Sequence, residues 1–118
     1  MKKNDLIDYI QHNYGTSPDY PWIKYPDYAV FRHRGSSGWF ALIMSVSADK
    51  IGAGDAKTVA DIINVKVAPE LVGSLRLKEG VYPAYHMNKE HWVTIILDGK
   101  FNSGELKSLI DDSYRLTQ

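Results

Sequence analysis

Cationic and aromatic residues recur in this chain at spacings suited to a phosphate-bearing ligand. Arg32-His33-Arg34 leads into Gly35-Ser36-Ser37-Gly38. Guanidinium groups match phosphate oxygens with paired donors, and small residues leave room for close approach. Lys66 ends the run Asn64-Val65-Lys66, and Lys89 stands between His86 and His91 around the turn Asn88-Lys89-Glu90. Neutral imidazoles add weak phosphate contacts. Trp39, Tyr85 and Trp92 lie close in sequence to these groups. Rings of this kind stack on unpaired bases. Each feature also has an ordinary structural use. Arg and Lys stems cover rings on the outer face of a sheet, a Gly-Ser turn is commonly just solvated, and His86 and His91 suit local hydrogen bonds beside Tyr85 and Trp92.

Other chemistries find less support. His86 and His91 lack a third ligand at metal-site spacing. The loop Gly52-Ala53-Gly54-Asp55, between Lys50 and Lys57, lacks the Gly-Lys-Ser/Thr ending of a phosphate loop. Asp49, Asp55, Asp61, Asp98, Asp111 and Asp112 are scattered, with no Ser/His/Asp order and no paired carboxylates. No enzyme activity, cofactor or metal is expected. The chain has no cysteine, which removes disulfides, thiolate metal sites and a thiol nucleophile. Fourteen basic residues balance fourteen acidic ones, so any nucleic-acid contact is expected to be a local patch. The start lacks a signal-like apolar run, and no stretch reaches transmembrane length. A cytoplasmic protein without membrane contact is expected.

The elements that must position these residues follow from periodicity. The 118 residues suit one domain spanning 1–118. Asn4 is read as the cap of a helix from Asp5 to Tyr14, stopped by Gly15. Three prolines between Ser17 and Asp27 forbid regular structure, and the aromatics there pack that segment onto the domain. Tyr28–Arg34 and Trp39–Val46 read as a hairpin, Ser47–Ala60 as a loop, and Ile62–Val67 as a third strand. Pro69 opens a short helix to Leu77. Tyr82–Met87 and Trp92–Leu97 are further strands. Asn102 and Glu105 form a capping pair before a helix carrying Leu106, Leu109, Ile110 and Tyr114. The order α-β-β-β-α-β-β-α with short connections predicts a two-layer α+β fold, its mostly antiparallel sheet covered by helices on one face.

Strand alternation sorts the residues into two faces. Phe31, Val65, Val93 and Ile95 are expected against the helices. Tyr28, Arg32, Arg34, Lys66, Thr94 and one or both of Trp39 and Trp92 are expected on a half-solvated opposite face. In the second strand, Trp39, Ala41 and Ile43 should oppose Phe40, Leu42 and Met44.

Several segments taken together resemble the MmcQ/YjbR-like family of small bacterial proteins. They are Tyr20-Pro21-Trp22, Asp27 to Arg32, Gly38 to Ile43, Asn64-Val65-Lys66, Gly80 to Lys89, His91 to Ile95 and Leu109 to Tyr114. The resemblance implies a fold similar to type III secretion chaperones and a DNA-binding role. It carries over no catalytic residues. The expected DNA contacts are Arg32, Arg34, Lys66, Lys89, His86 and His91, with Trp39, Tyr85 and Trp92 stacking. The alternative is a module that binds a protein partner or forms a homodimer.

Overall fold

A computed structural model describes residues 1–36 and 38–118. Ser37, in the turn anticipated at Gly35–Gly38, lies outside the described residues. Five strands form one antiparallel sheet: β1 (Ala29–Arg32), β2 (Trp39–Ser47), β3 (Val59–Lys66), β4 (Val81–Pro83) and β5 (Trp92–Ile96), in the spatial order β1-β2-β3-β5-β4. Helices α1 (Lys3–Tyr14), α2 (Val72–Leu75) and α3 (Ser103–Leu116) contribute Leu6, Ile10, Val72, Leu75, Leu106, Leu109 and Ile110 to one core. That core also holds Phe31, Val65, Val93 and Ile95, the helix-facing residues that alternation predicts. The α+β architecture and its element order match the expectation.

Several boundaries differ from the sequence reading. Helix α1 begins at Lys3, so Asn4 lies inside its first turn, and Lys2 occupies the cap position without a side-chain bond. Gly15 does end it, in the left-handed conformation at φ 63°. Strand β1 stops at Arg32 and leaves Arg34 in the hairpin turn. The Ser47–Ala60 stretch contains a 3-10 turn (Ala48–Ile51) and the first residues of β3. Strand β3 ends at Lys66, one residue before the expected Val67. Pro69 opens a 3-10 turn (Pro69–Leu71) that continues into α2, which ends at Leu75, short of Leu77. Strand β4 covers only Val81–Pro83, not Tyr82–Met87, and β5 ends one residue earlier than Leu97. Asn102 caps α3 as expected, accepting from Glu105 N at 2.8 Å.

The largest departure lies in β2. Phe31 pairs with Ala41 but Arg32 pairs with Trp39, so Phe40 is an extra residue in a β-bulge. Strict alternation fails there. Phe40 joins Ala41 and Ile43 on the helix side, while Trp39 joins Leu42 and Met44 on the other. The Phe40 ring packs with Tyr14, Phe31, His33 and Tyr114. A bulge leaves backbone groups unpaired, and buried Ser113 of α3 meets two of them. Its hydroxyl donates to Phe40 O at 2.6 Å and accepts from Lys66 N at 2.8 Å.

The opposite face was expected to be half-solvated. It holds a second apolar cluster instead, with Val30, Leu42, Met44, Val46, Ala60 and Ile62 buried. Irregular segments supply its cover, including Trp22, Tyr85 and Met87.

Candidate aromatic groove

Segment 16–28 builds one wall of the candidate site. Its prolines at 18, 21 and 26 keep it out of the ladder as a regular strand. Asp19 alone bridges to Val30, exchanging two backbone bonds of 2.8 Å and covering part of the outer edge of β1. The chain then turns across the face. Trp22 meets Trp39 edge-on at 5.7 Å and Tyr28 at 6.1 Å, and Tyr25 stacks on Tyr28 at 4.6 Å with planes 13° apart.

The other wall is the connection between β4 and β5. Asn64 and Thr94 are register partners on β3 and β5, both fully buried. Asn64 Nδ2 donates to Tyr85 O at 2.8 Å, and Tyr85 N donates to Thr94 Oγ1 at 2.9 Å. The Thr94 hydroxyl completes the triangle by donating to Asn64 Oδ1. Two interior polar side chains thus pin an irregular backbone to the sheet, each satisfied by the others. His86 follows at φ 56°, a left-handed conformation that costs a non-glycine residue about 1–2 kcal/mol. Its ring lies 4.1 Å from that of Tyr85.

Between these walls runs an apolar groove of about 280 Å³. Leu42 and Met44 contribute from the sheet, Trp22, Tyr25, Tyr28 and Trp39 from one side, and His86 and Met87 from the other. Burial raises the pKa of the Tyr28 phenol, helped by Tyr85, Tyr25 and Asp27. The phenol therefore stays protonated as a hydrogen-bond donor at neutral pH.

The nine residues expected to contact DNA separate in space. Trp39 and His86 line the groove, and Tyr85 stands beside His86. Arg32 lies over the Trp39 ring, with Cζ 5.2 Å from its centroid. It is not a free phosphate contact, because Asp19 Oδ2 lies 3.2 Å from both its Nε and its Nη2. Lys66 pairs with Trp92 across β3 and β5, half-buried on the groove side of the sheet. Lys89 is exposed and His91 half-buried in the 88–91 turn. That turn is shaped by Asn88, which accepts from Glu90 N at 2.8 Å and Trp92 N at 2.9 Å. The turn replaces the short hairpin that would have faced His86 and His91 across paired strands. Arg34 is exposed beside the hairpin tip. Among the described residues, no three His, Asp or Glu side chains gather as a metal site, and no helix is long and apolar enough to cross a membrane.

Sequence reading missed the roles of Trp22, Tyr25, Met44 and Met87 in the groove and of Asn64 in its wall. The aromatic, proline-rich composition of 18–28 was a signal that the segment packs. Its landing place across the face was not.

A five-stranded antiparallel sheet with helices on one face places the chain among small α+β proteins of known architecture. A crystal structure of a Pseudomonas syringae protein is similar at TM-score 0.96 and 54% identity, with both chains covered completely. A Deinococcus radiodurans crystal structure described as a DUF419 domain is similar at TM-score 0.71 and 26% identity, over 98% of this chain and 77% of that one. The chain belongs to the YjbR family, whose model matches residues 12–116. It is 43% identical to Uncharacterized protein YyaQ of Bacillus subtilis (strain 168) across all of this chain and 99% of that protein. Uncharacterized protein YjbR of Escherichia coli (strain K12) is 39% identical over 54 residues, 45% of this chain and 46% of that protein.

Proposed function

We propose that this protein is a DNA-binding module that takes up unpaired strands, and that the aromatic groove is its working surface. The observation that carries the reading is the groove itself: four aromatic rings, with Arg32 laid over Trp39, around an apolar floor. Base–aromatic stacking contributes about 1–3 kcal/mol per base and needs no strong basic field. That suits a chain with fourteen basic and fourteen acidic residues. Lys66, on the groove side of the sheet, supplies a phosphate contact, Arg34 and Lys89 are exposed cations farther along the surface, and Arg32 positions Trp39. The activity is binding without a catalytic step, in the cytoplasm, where nucleic acid is present.

Fluorescence anisotropy with labelled oligo-dT and a duplex of equal length tests the reading. Single strands should bind more tightly, with a shallow salt slope of about 0.7 per phosphate neutralised. Trp39→Ala should weaken binding about tenfold while the protein stays folded. No binding of oligo-dT at low salt overturns the reading.

A second reading has its own support. Ile23 is 98% exposed beside half-exposed Tyr20 and Tyr25 on the same segment. Exposed aromatic and aliphatic side chains of this kind suit a protein partner or a second copy of the chain. Light scattering coupled to gel filtration at rising concentration tests the homodimer. A strict monomer argues against that form.

A further inference from the structure

The aromatic groove does not end at Tyr25 and Tyr28. A second depression, of about 360 Å³, uses the same two residues as part of its lining. The stacked Tyr25–Tyr28 pair therefore stands between two adjoining spaces of different character. The first is apolar and ringed by aromatics. The second adds Ser45, Ser47, Asp27 and Lys50.

The charges of the second space are unequally committed. Asp27 Oδ2 lies 3.7 Å from Lys3 Nζ, so its carboxylate has a cation beside it. Ser45 is also engaged, accepting from Lys3 Nζ at 3.1 Å and donating to Asp61 Oδ1 at 2.5 Å. Lys50 is exposed, in the 3-10 turn after β2, and forms no ion pair among the described residues. The polar space thus offers one uncommitted cation, one shared hydroxyl and one offset carboxylate. A planar apolar group in the first space and an anionic group in the second would complement both.

We propose that the two spaces form one site for a single nucleotide unit, with the base in the aromatic groove and the phosphate at Lys50. This rests on the nucleic-acid reading above and adds to it a residue that the sequence did not single out for binding. The base gains stacking contacts with Trp22 and Trp39, and the phosphate gains a charge-assisted contact from Lys50. The Tyr25–Tyr28 pair sets the passage between them. Arg32 keeps its bond to Asp19 throughout.

The test uses the full chain and its tryptophan fluorescence. Adenosine, adenosine 5′-monophosphate and an oligo-dT strand are titrated in turn into the unaltered protein, Lys50→Met and Lys50→Glu. The monophosphate should bind the unaltered protein about tenfold more tightly than adenosine, the effect of one charged contact. Lys50→Met should abolish that preference with adenosine affinity unchanged, and Lys50→Glu should reverse it. Equal affinities for the two in the unaltered protein, or a preference that survives Lys50→Met, overturn the two-space site. If oligo-dT still binds in that case, the stacking reading stands and only the Lys50 assignment falls. No response to any of the three probes overturns both.

Discussion

On one side of the sheet, three helices bury Phe31, Ile63, Val65 and Ile95. On the other, two irregular segments close over Leu42, Met44 and Ile62. The first side is covered by repeating apolar faces whose backbone bonds are satisfied within each helix. The second depends on particular polar contacts, Asp19 with Val30 and Asn64–Thr94 with Tyr85. A helix can lose one contact and keep its shape. A pinned loop depends on its pins. The irregular cover is also what leaves a groove open between Trp22 and Met87. The helix side thus supplies stability, and the loop-covered side supplies a shaped surface.

Substitutions on the two sides should separate these roles. Phe40→Ala removes a fully buried ring from the helix side and should cost about 3–5 kcal/mol, read by urea denaturation. Trp39 is only half-buried on the opposite side, so Trp39→Ala should cost clearly less. Equal losses would erase the distinction. Ser113→Ala strands Phe40 O and Lys66 N on the helix side, and Asn64→Ala strands Tyr85 O on the other. Each should cost about 1–3 kcal/mol. Only Asn64→Ala should also speed amide exchange at 85–87, and protection there unchanged from the parent would show that the clamp does not hold the wall.

His86→Gly relieves the left-handed backbone and should stabilise the fold by up to about 1 kcal/mol while weakening oligo-dT binding. A loss of stability would show that the ring's contacts outweigh its strain. The smallest effect concerns pH. Burial lowers the pKa of His33, whose Nε2 lies 2.7 Å from Thr117 Oγ1, below the ordinary 6.5. The unfolded chain then binds the proton more readily than the folded one. Stability is full above pH 6.5 and declines as pH falls from there toward the folded pKa. His33→Gln should flatten that part of a stability–pH curve, and an unchanged slope would place its origin in other groups.

The helix side was legible in the sequence because its causes are local and periodic. Leu106, Leu109 and Ile110 recur at helical spacing, Asn102 marks a cap, and Val93 and Ile95 alternate. The groove side was legible in its composition but not in its arrangement. Trp39 and His86, both named as candidates from the sequence, line one groove. Trp22 reaches them from 17 positions before Trp39, through a proline segment with no period to extrapolate. Arg32 read as a phosphate contact because its partner Asp19 lies on that same aperiodic segment. The bulge at Phe40 was hidden for another reason. Both faces of β2 are apolar, so a slip in alternation leaves no polar residue out of place to reveal it.

That bulge has a genetic consequence. Phe40 behaves as a one-codon insertion: the pairs Phe31–Ala41 and Arg32–Trp39 on either side of it are those of an uninterrupted ladder. Losing its codon would leave Trp39 and Leu42 facing the groove, while the helix side lost a ring and Ser113 lost an acceptor. Losing the neighbouring codon for Trp39 would instead bring Phe40 opposite Arg32 and onto the groove side. Both single-codon deletions would therefore take the bulge ring off the helix side, and the two products differ only in whether Trp or Phe faces the groove. A deletion scan across β2 should show stability falling at both codons and binding falling further at the codon for Trp39.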